Sequence, residues 1–149
     1  NALLKVGDKE RALKVLDRCQ ESMPENVWPL DAIPLGFSTN DYMVVNMVSA
    51  YFAAGAPEKA AELGAKLGKE LLASAHFYME YYEYAQDEFE KSCQFLYFLV
   101  DELEKGGDKK VSAELKHSLV TLLRAGAEAY DQDYGNEADS TVAEDTSAK

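Results

Sequence analysis

"GDKERALKVLDRCQESMP", residues 7–24, is the stretch on which the fold turns. Gly7 opens it, Asp8 stands where a helix N-cap belongs, and Ala12, Val15, Leu16 and Cys19 fall on one helical face. Pro24 ends the run. The residues before it, "ALLKV" at 2–6, read as the last turns of another helix. The stretch is therefore the second arm of an antiparallel pair joined at Gly7. Glycine suits such a turn because the backbone goes left-handed there, and a small residue such as Ala12 suits a close crossing of two helices.

Outward from this stretch the chain stays helical. Its 149 residues suffice for one domain with a buried core. The four prolines, at 24, 29, 34 and 57, leave everything after residue 57 unbroken, and helix formers dominate, so the fold class is all-α. "ENVWPLDAIPLGFSTN" (25–40) is a loop, with Trp28 and Phe37 expected to pin it to the body. Ser38 and Asp41 have capping-box spacing and open a helix carrying Val44, Met47, Val48 and Tyr51, which Gly55 ends. Pro57 starts "PEKAAELGAKLGKELLA", with Ala60, Leu63, Leu67 and Leu71 on one side. Gly64 and Gly68 each weaken that helix by about 1 kcal/mol relative to alanine, which implies that a neighbouring backbone comes close. A separate tyrosine-rich helix is expected from His76, with a kink near residue 86, running to a turn at Gly106 and Gly107. The last helix runs from Asp108 to about Tyr134 on Val111, Leu115, Leu119, Leu122 and Ala129. From Asp131 onward six acidic residues and one lysine alternate with small polar ones, so residues 135–149 read as an acidic, disordered tail on a 1–134 helical domain.

The opening pattern recurs. Gly7, Ala12, Leu16, Cys19 and Pro24 resemble the second half of a tetratricopeptide repeat, and Val44, Met47, Val48, Tyr51, Gly55 and Ala60 resemble a fuller copy. A partial third copy has Leu96, Leu99, Val100 and Leu103 before Gly107, then Ser112 at the small position but Lys116 where a large apolar residue belongs. The spacing from Ala12 to Ala60 is 48 residues and from Ala60 to Ser112 is 52, both longer than the usual period of about 34. The resemblance implies antiparallel hairpins stacked in an irregular right-handed array, with the proline-rich loop and the tyrosine-rich helix inserted.

Charge and composition exclude several functions. A net charge of −12 disfavours nucleic acid, which needs a basic stripe, and disfavours anionic membrane surfaces. The longest strongly apolar run, "FLYFLV", is too short to cross a bilayer. Cys19 and Cys93 read as two buried small residues, a bridge between them being the alternative. His76 and His117 lack companions at metal-ligand spacing, and "DQDYGNEAD" (131–139) lacks the sixth-position glycine and twelfth-position glutamate of a calcium loop. No phosphate-cradling loop or nucleophile elbow is present, so no catalytic residue, metal or cofactor is assigned to this segment.

The functional candidates are recognition surfaces. The resemblance places a partner-binding groove on the first helix of each repeat: Tyr42, Val45, Ser49 and Phe52 in the second copy, and Gln94, Tyr97, Asp101 and Glu104 in the third. The plainer reading, that Val45 and Phe52 are packed, takes precedence for those two. Tyr78, Tyr81, Tyr82 and Tyr84 are a candidate aromatic platform for a peptide or sugar, against the plainer reading that their rings pack on a neighbouring helix.

The order of elements also resembles one particular family. "GDKERALKVLDRCQESMP", a proline-containing aromatic loop, "SAYFAAGAPEKAAEL", a tyrosine-rich helix and a closing hairpin are similar to the carboxy-terminal soluble region of large multi-pass membrane proteins of Bacteroidetes-type bacteria. That region is a domain of unknown function, and the membrane half of those proteins resembles protein O-mannosyltransferases. The resemblance covers residues 1 to about 130. It implies a non-catalytic positioning domain, on the periplasmic side, that holds an acceptor polypeptide near its own membrane-embedded half. The start at Asn1, inside a helix, is expected to reflect a longer parent. The alternative is a stand-alone cytoplasmic scaffold that binds a peptide. In an isolated fragment an exposed apolar face around Ala12 and Leu16 is expected to invite homodimerisation.

Overall fold

A computed structural model describes residues 1–22, 30 and 40–144; of residues 40–42 and 132–144 it describes the backbone only. The described residues form helices and no strand: α1 (Ala2–Lys5), α2 (Lys9–Glu21), α3 (Asn40–Ala54), α4 (Pro57–Glu80), α5 (Tyr82–Gly106) and α6 (Lys109–Glu144). The all-α expectation holds, with successive helices packed antiparallel.

Three of the reversals are made by one device. Gly7, Gly55 and Gly107 have φ of 79°, 85° and 91°, the left-handed region in which a side chain is strained. At each, the glycine N–H donates to a carbonyl three residues back (Leu4, Phe52, Glu104), at 3.0–3.1 Å. The next N–H donates to the carbonyl five back (Leu3, Tyr51, Leu103), at 2.9–3.0 Å. This pair of bonds is the Schellman motif, which satisfies the orphaned carbonyls of the ending helix. The residue after glycine then caps the following helix. Asp8 accepts from the Arg11 N–H, and Asp108 accepts from the N–H groups of Lys110 and Val111. At the middle turn Pro57 replaces the cap, needing no partner at the first helical position.

The turns set a common register. Five residues after each glycine stands Ala12, Ala60 or Ser112, and all three are buried. In the arms before the turn, Val44, Met47, Val48 and Tyr51 are matched 52 residues on by Leu96, Leu99, Val100 and Leu103. All eight are buried and, with Leu63, Leu67 and Leu71 of α4, they make the core. Each helix touches its neighbour in sequence; α1 also touches α3, α3 touches α5, and α4 touches α6. Among the described residues α2 is not in close backbone contact with α4.

The fourth reversal is built differently, and here the sequence reading needs correcting. No separate tyrosine-rich helix is inserted. α4 continues through His76 to Glu80, and the chain turns between Tyr81 and Ala85, both with non-helical backbone (φ −120° and −131°). The break at Ala85 lies one residue from the expected kink. No glycine or proline marks this reversal. It is held by α4 and α5 packing along their length and by Tyr82, buried edge-on against Phe89 with ring centres 5.5 Å apart.

Other expectations shift in detail. In α2 the buried side is Ala12, with Leu13, Leu16 and Cys19 packed beneath it, while Val15 is 59% exposed. The apolar residues left open at this end are thus Val6 and Val15, not Ala12 and Leu16. The glycines of α4 admit side chains rather than a backbone: a Cβ on Gly64 would meet Leu103 at 2.9 Å, and one on Gly68 would meet Leu115 at 2.6 Å. Trp28, Phe37 and Ser38 lie outside the described residues. Within the same loop Leu30 is buried, and its N–H donates to the Glu70 carboxylate at 2.6 Å, tying the loop to α4. α6 runs on as helix to Glu144 instead of ending near Tyr134; between those points Gly135 is the sole strong helix breaker in the sequence. Residues 145–149 lie outside the described residues.

Candidate recognition surfaces

The first candidate surface is the groove expected on α3 and α5. Its members pair across the 52-residue register: Val45 with Tyr97, Ser49 with Asp101, Phe52 with Glu104. The structure does not bring them onto one open face. Val45 is buried, Ser49 is half-buried, and the half-buried Phe52 lies over Gly106 of α5, where a Cβ would come within 2.3 Å of the ring. These α3 positions are covered because α5 lies against α3. The Tyr42 side chain lies outside the described residues.

On α5 the same positions are open. Gln94 and Glu104 are exposed, Asp101 is half-buried, and Tyr97 is 60% exposed. Glu104 reaches across to Lys116 of α6 at 2.8 Å, and Asp101 pairs with Lys105 on its own helix. Those hydrogen bonds hold both lysines above their ordinary range, so each stays charged. Tyr97 and Gln94 join Phe89, Cys93, Leu119 and Leu123 around an apolar cleft of about 370 Å³ between α5 and α6. Reading the sequence for repeat positions missed Leu123 and its neighbour Val120, which are 50% and 43% exposed. The signal was present: Val120, Leu123, Ala127 and Tyr130 recur at steps of three and four beside the buried stripe of α6.

Cys93, on the floor of this cleft, is 3% exposed, and burial, with Glu90 nearby, pushes its thiol up to about 11. It is a neutral packing group at ordinary pH. Cys19 is half-buried on α2, and both cysteines are free.

The four tyrosines of the second candidate surface also separate. Tyr82 is buried, Tyr78 half-buried, Tyr81 52% exposed and Tyr84 83% exposed. What comes together instead is Phe77, half exposed, with Tyr81 at 5.1 Å and Tyr78 at 5.6 Å between ring centres. Phe77 went unnoticed in the sequence, although it sits four residues before Tyr81 and thus on the same helical face. Beyond the reversal, Tyr81, Tyr84 and Ala129 border a shallow cleft of about 240 Å³ rimmed by Glu80 and Glu83.

A polar cluster ties the first hairpin to the second. The Tyr51 ring is fully buried, and its hydroxyl lies 3.0 Å from Asp17 and 3.1 Å from Gln20, both on α2. A phenol has one proton, which it donates to the Asp17 carboxylate. Lys59 of α4 donates to the same carboxylate at 2.6 Å and, as the larger influence, holds Asp17 below the usual carboxylate range. Burial and the neighbouring carboxylate push the Tyr51 phenol far up, so it stays a donor. Among the described residues, no three His, Cys, Asp or Glu side chains converge as a metal site requires, and no helix is long and apolar enough to cross a membrane. Set against known protein families, curated proteins and solved structures, the chain matches none.

Proposed function

We infer that the chain is a non-catalytic protein-interaction domain of tetratricopeptide-like build, which positions a polypeptide for a larger membrane glycosyltransferase-like protein of the kind its sequence resembles. The observation that carries the interaction reading is the repetition of one turn. Gly7, Gly55 and Gly107 share their backbone bonds, and each precedes a buried small residue by five positions. Units of this sort, each touching mainly its neighbours, build extended surfaces whose work is recognition. The glycosyltransferase connection rests on the sequence resemblance, and the periplasmic location follows from it.

Two measurements test the halves separately. The coding sequence upstream of Asn1 should specify about ten apolar spans, each of about 20 residues. A start codon within one repeat of Asn1 would remove the membrane parent and leave a free scaffold. The purified chain, given a polyprenyl-phosphate sugar donor and an acceptor peptide, should bind peptide without releasing sugar or polyprenyl phosphate. Turnover by the chain alone would overturn the non-catalytic assignment.

A further inference from the structure

The common register says what each face of a hairpin does when another hairpin lies against it. α5 and α6 pack onto α3 and α4, with Leu115 of α6 seated over Gly68 of α4 and Leu103 of α5 over Gly64. On the receiving side, Val45, Gly68, Leu71 and Ala75 are buried. Advancing 52 residues gives Tyr97, Val120, Leu123 and Ala127, and these are exposed. The α5–α6 pair therefore presents the same receiving face, and no described residue covers it.

The opposite end has the complementary defect. Ala54 and Leu63, on the side of the second hairpin that meets the first, are 4% and 2% exposed. Their equivalents 48 residues earlier are Val6 and Val15, at 76% and 59%. Val15 is also the register partner of Leu115, the residue that enters the seat on α4. One end of the molecule thus carries an uncovered inserting face, the other an uncovered receiving face.

Charge matches the two. Residues 1–22 hold five basic and four acidic side chains in a chain of net charge −12, and Arg11, Lys14 and Arg18, flanking Val15, are 70–80% exposed. α5 carries seven acidic residues against two lysines, with Asp87 and Glu90 beside the mouth of the cleft. Basic rim meets acidic rim, which favours this pairing over either end meeting itself.

We propose that the α5–α6 cleft receives the α1–α2 end of a second copy of this chain, Val15 of one copy lying over Val120 of the other. The contact is heterologous: each copy uses a different face, so association is open-ended rather than closed at two. α6 has Lys116 and Val120 where α4 has Gly64 and Gly68, so the seat is shallower than the one inside the chain. The association is correspondingly weaker than the internal stacking and is reversible.

The test uses the whole 149-residue chain in multi-angle light scattering, from micromolar to millimolar concentration. The weight-average mass should climb past two copies without a plateau. Val15→Glu and Leu123→Glu should each return the mass to one copy while keeping the helical circular dichroism. Mixing the two variants at equal amounts should restore a mass of two copies and stop there, because one inserting and one receiving face survive. Should Leu123→Glu fail to fold, Tyr97→Glu takes its place. A constant single-copy mass overturns the proposal. So does a plateau at two that Val15→Glu leaves untouched, since that is an α5–α6 face meeting itself, and so does a mixture that stays at one copy.

Discussion

The hairpins α3–α4 and α5–α6 are built on one plan, yet one is covered on both sides and the other on one. Leu71 and Leu123 stand at the same place in the two, and their exposures are 1% and 50%. Chemical identity and register are shared; what differs is whether another pair of helices follows. A residue type at a repeat position thus fixes what a side chain can do, and the neighbouring hairpin decides whether it serves as core or as surface. The largest expected effect is the contrast this creates. Leu71→Ala removes a fully enclosed side chain and should cost about 2–5 kcal/mol by urea unfolding. Leu123→Ala should cost less than about 1 kcal/mol. Equal losses would mean that the α5–α6 face is covered and that the two hairpins do not differ as described.

The second contrast is between two glycines whose removal strains the molecule for different reasons. A Cβ at Gly107 would touch nothing within 4 Å, so Gly107→Ala tests backbone conformation alone, at about 1–2 kcal/mol. Gly68 is helical, and alanine there regains about 1 kcal/mol of propensity but must displace Leu115 from a packed core. Its net cost should be the smaller of the two. The double variant Gly68→Ala with Leu115→Ala separates the causes, because shortening Leu115 should convert the Gly68 substitution from loss to gain. Thermal melts of the single and double variants give the comparison.

These glycines also mark how far the fold could be read from the sequence. Gly7, Gly55 and Gly107 announce their turns because a left-handed backbone selects one residue type, and Asp8 and Pro57 announce the helix starts beside them. The reversal at Tyr81–Ala85 has no such mark. Its non-helical residues lie in the ordinary left half of backbone space, where many residue types serve, so only the packing of two long helices places it. The candidate groove was legible as a set of equivalent positions, but not as a surface. Val45 and Tyr97 are interchangeable in register, and their burial depends on what lies against them. Val15 was misplaced for a related reason: a short helix with apolar residues at 12, 13, 15, 16 and 19 offers two overlapping faces, and contact with α3 selects one.

A third prediction concerns the join between hairpins. Tyr51→Phe keeps the buried ring and removes the hydroxyl that holds Asp17, at about 1 kcal/mol. The alkaline limb of stability should carry the same signature. Cys93 and Tyr51 both hold their protons in the fold beyond the pH at which an unfolded chain releases them, near 9 and 10. The unfolded state then binds fewer protons, so stability is full below about pH 9 and falls as pH rises toward 11. Urea midpoints across that range should decline in the wild type and decline less in Cys93→Ala. A flat alkaline limb would show that neither proton is held by the fold.

The smallest expected effect is the most informative about recognition. Tyr97 and Val45 share a register position, so the comparison between the hairpins predicts opposite outcomes for the same truncation. Val45→Ala should lower stability by about 1–2 kcal/mol, since its side chain is 4% exposed. Tyr97→Ala, at 60% exposure, should change the melting temperature within the scatter of surface substitutions, about ±0.5 kcal/mol. A ring kept in water at the mouth of an apolar cleft contributes little to the fold that carries it. Its contribution belongs to whatever closes over the cleft, so Tyr97→Ala should weaken association by at least tenfold in light scattering while the monomer melts as before. A marked loss of monomer stability would instead make Tyr97 part of the α5–α6 core and erase the difference between the two hairpins.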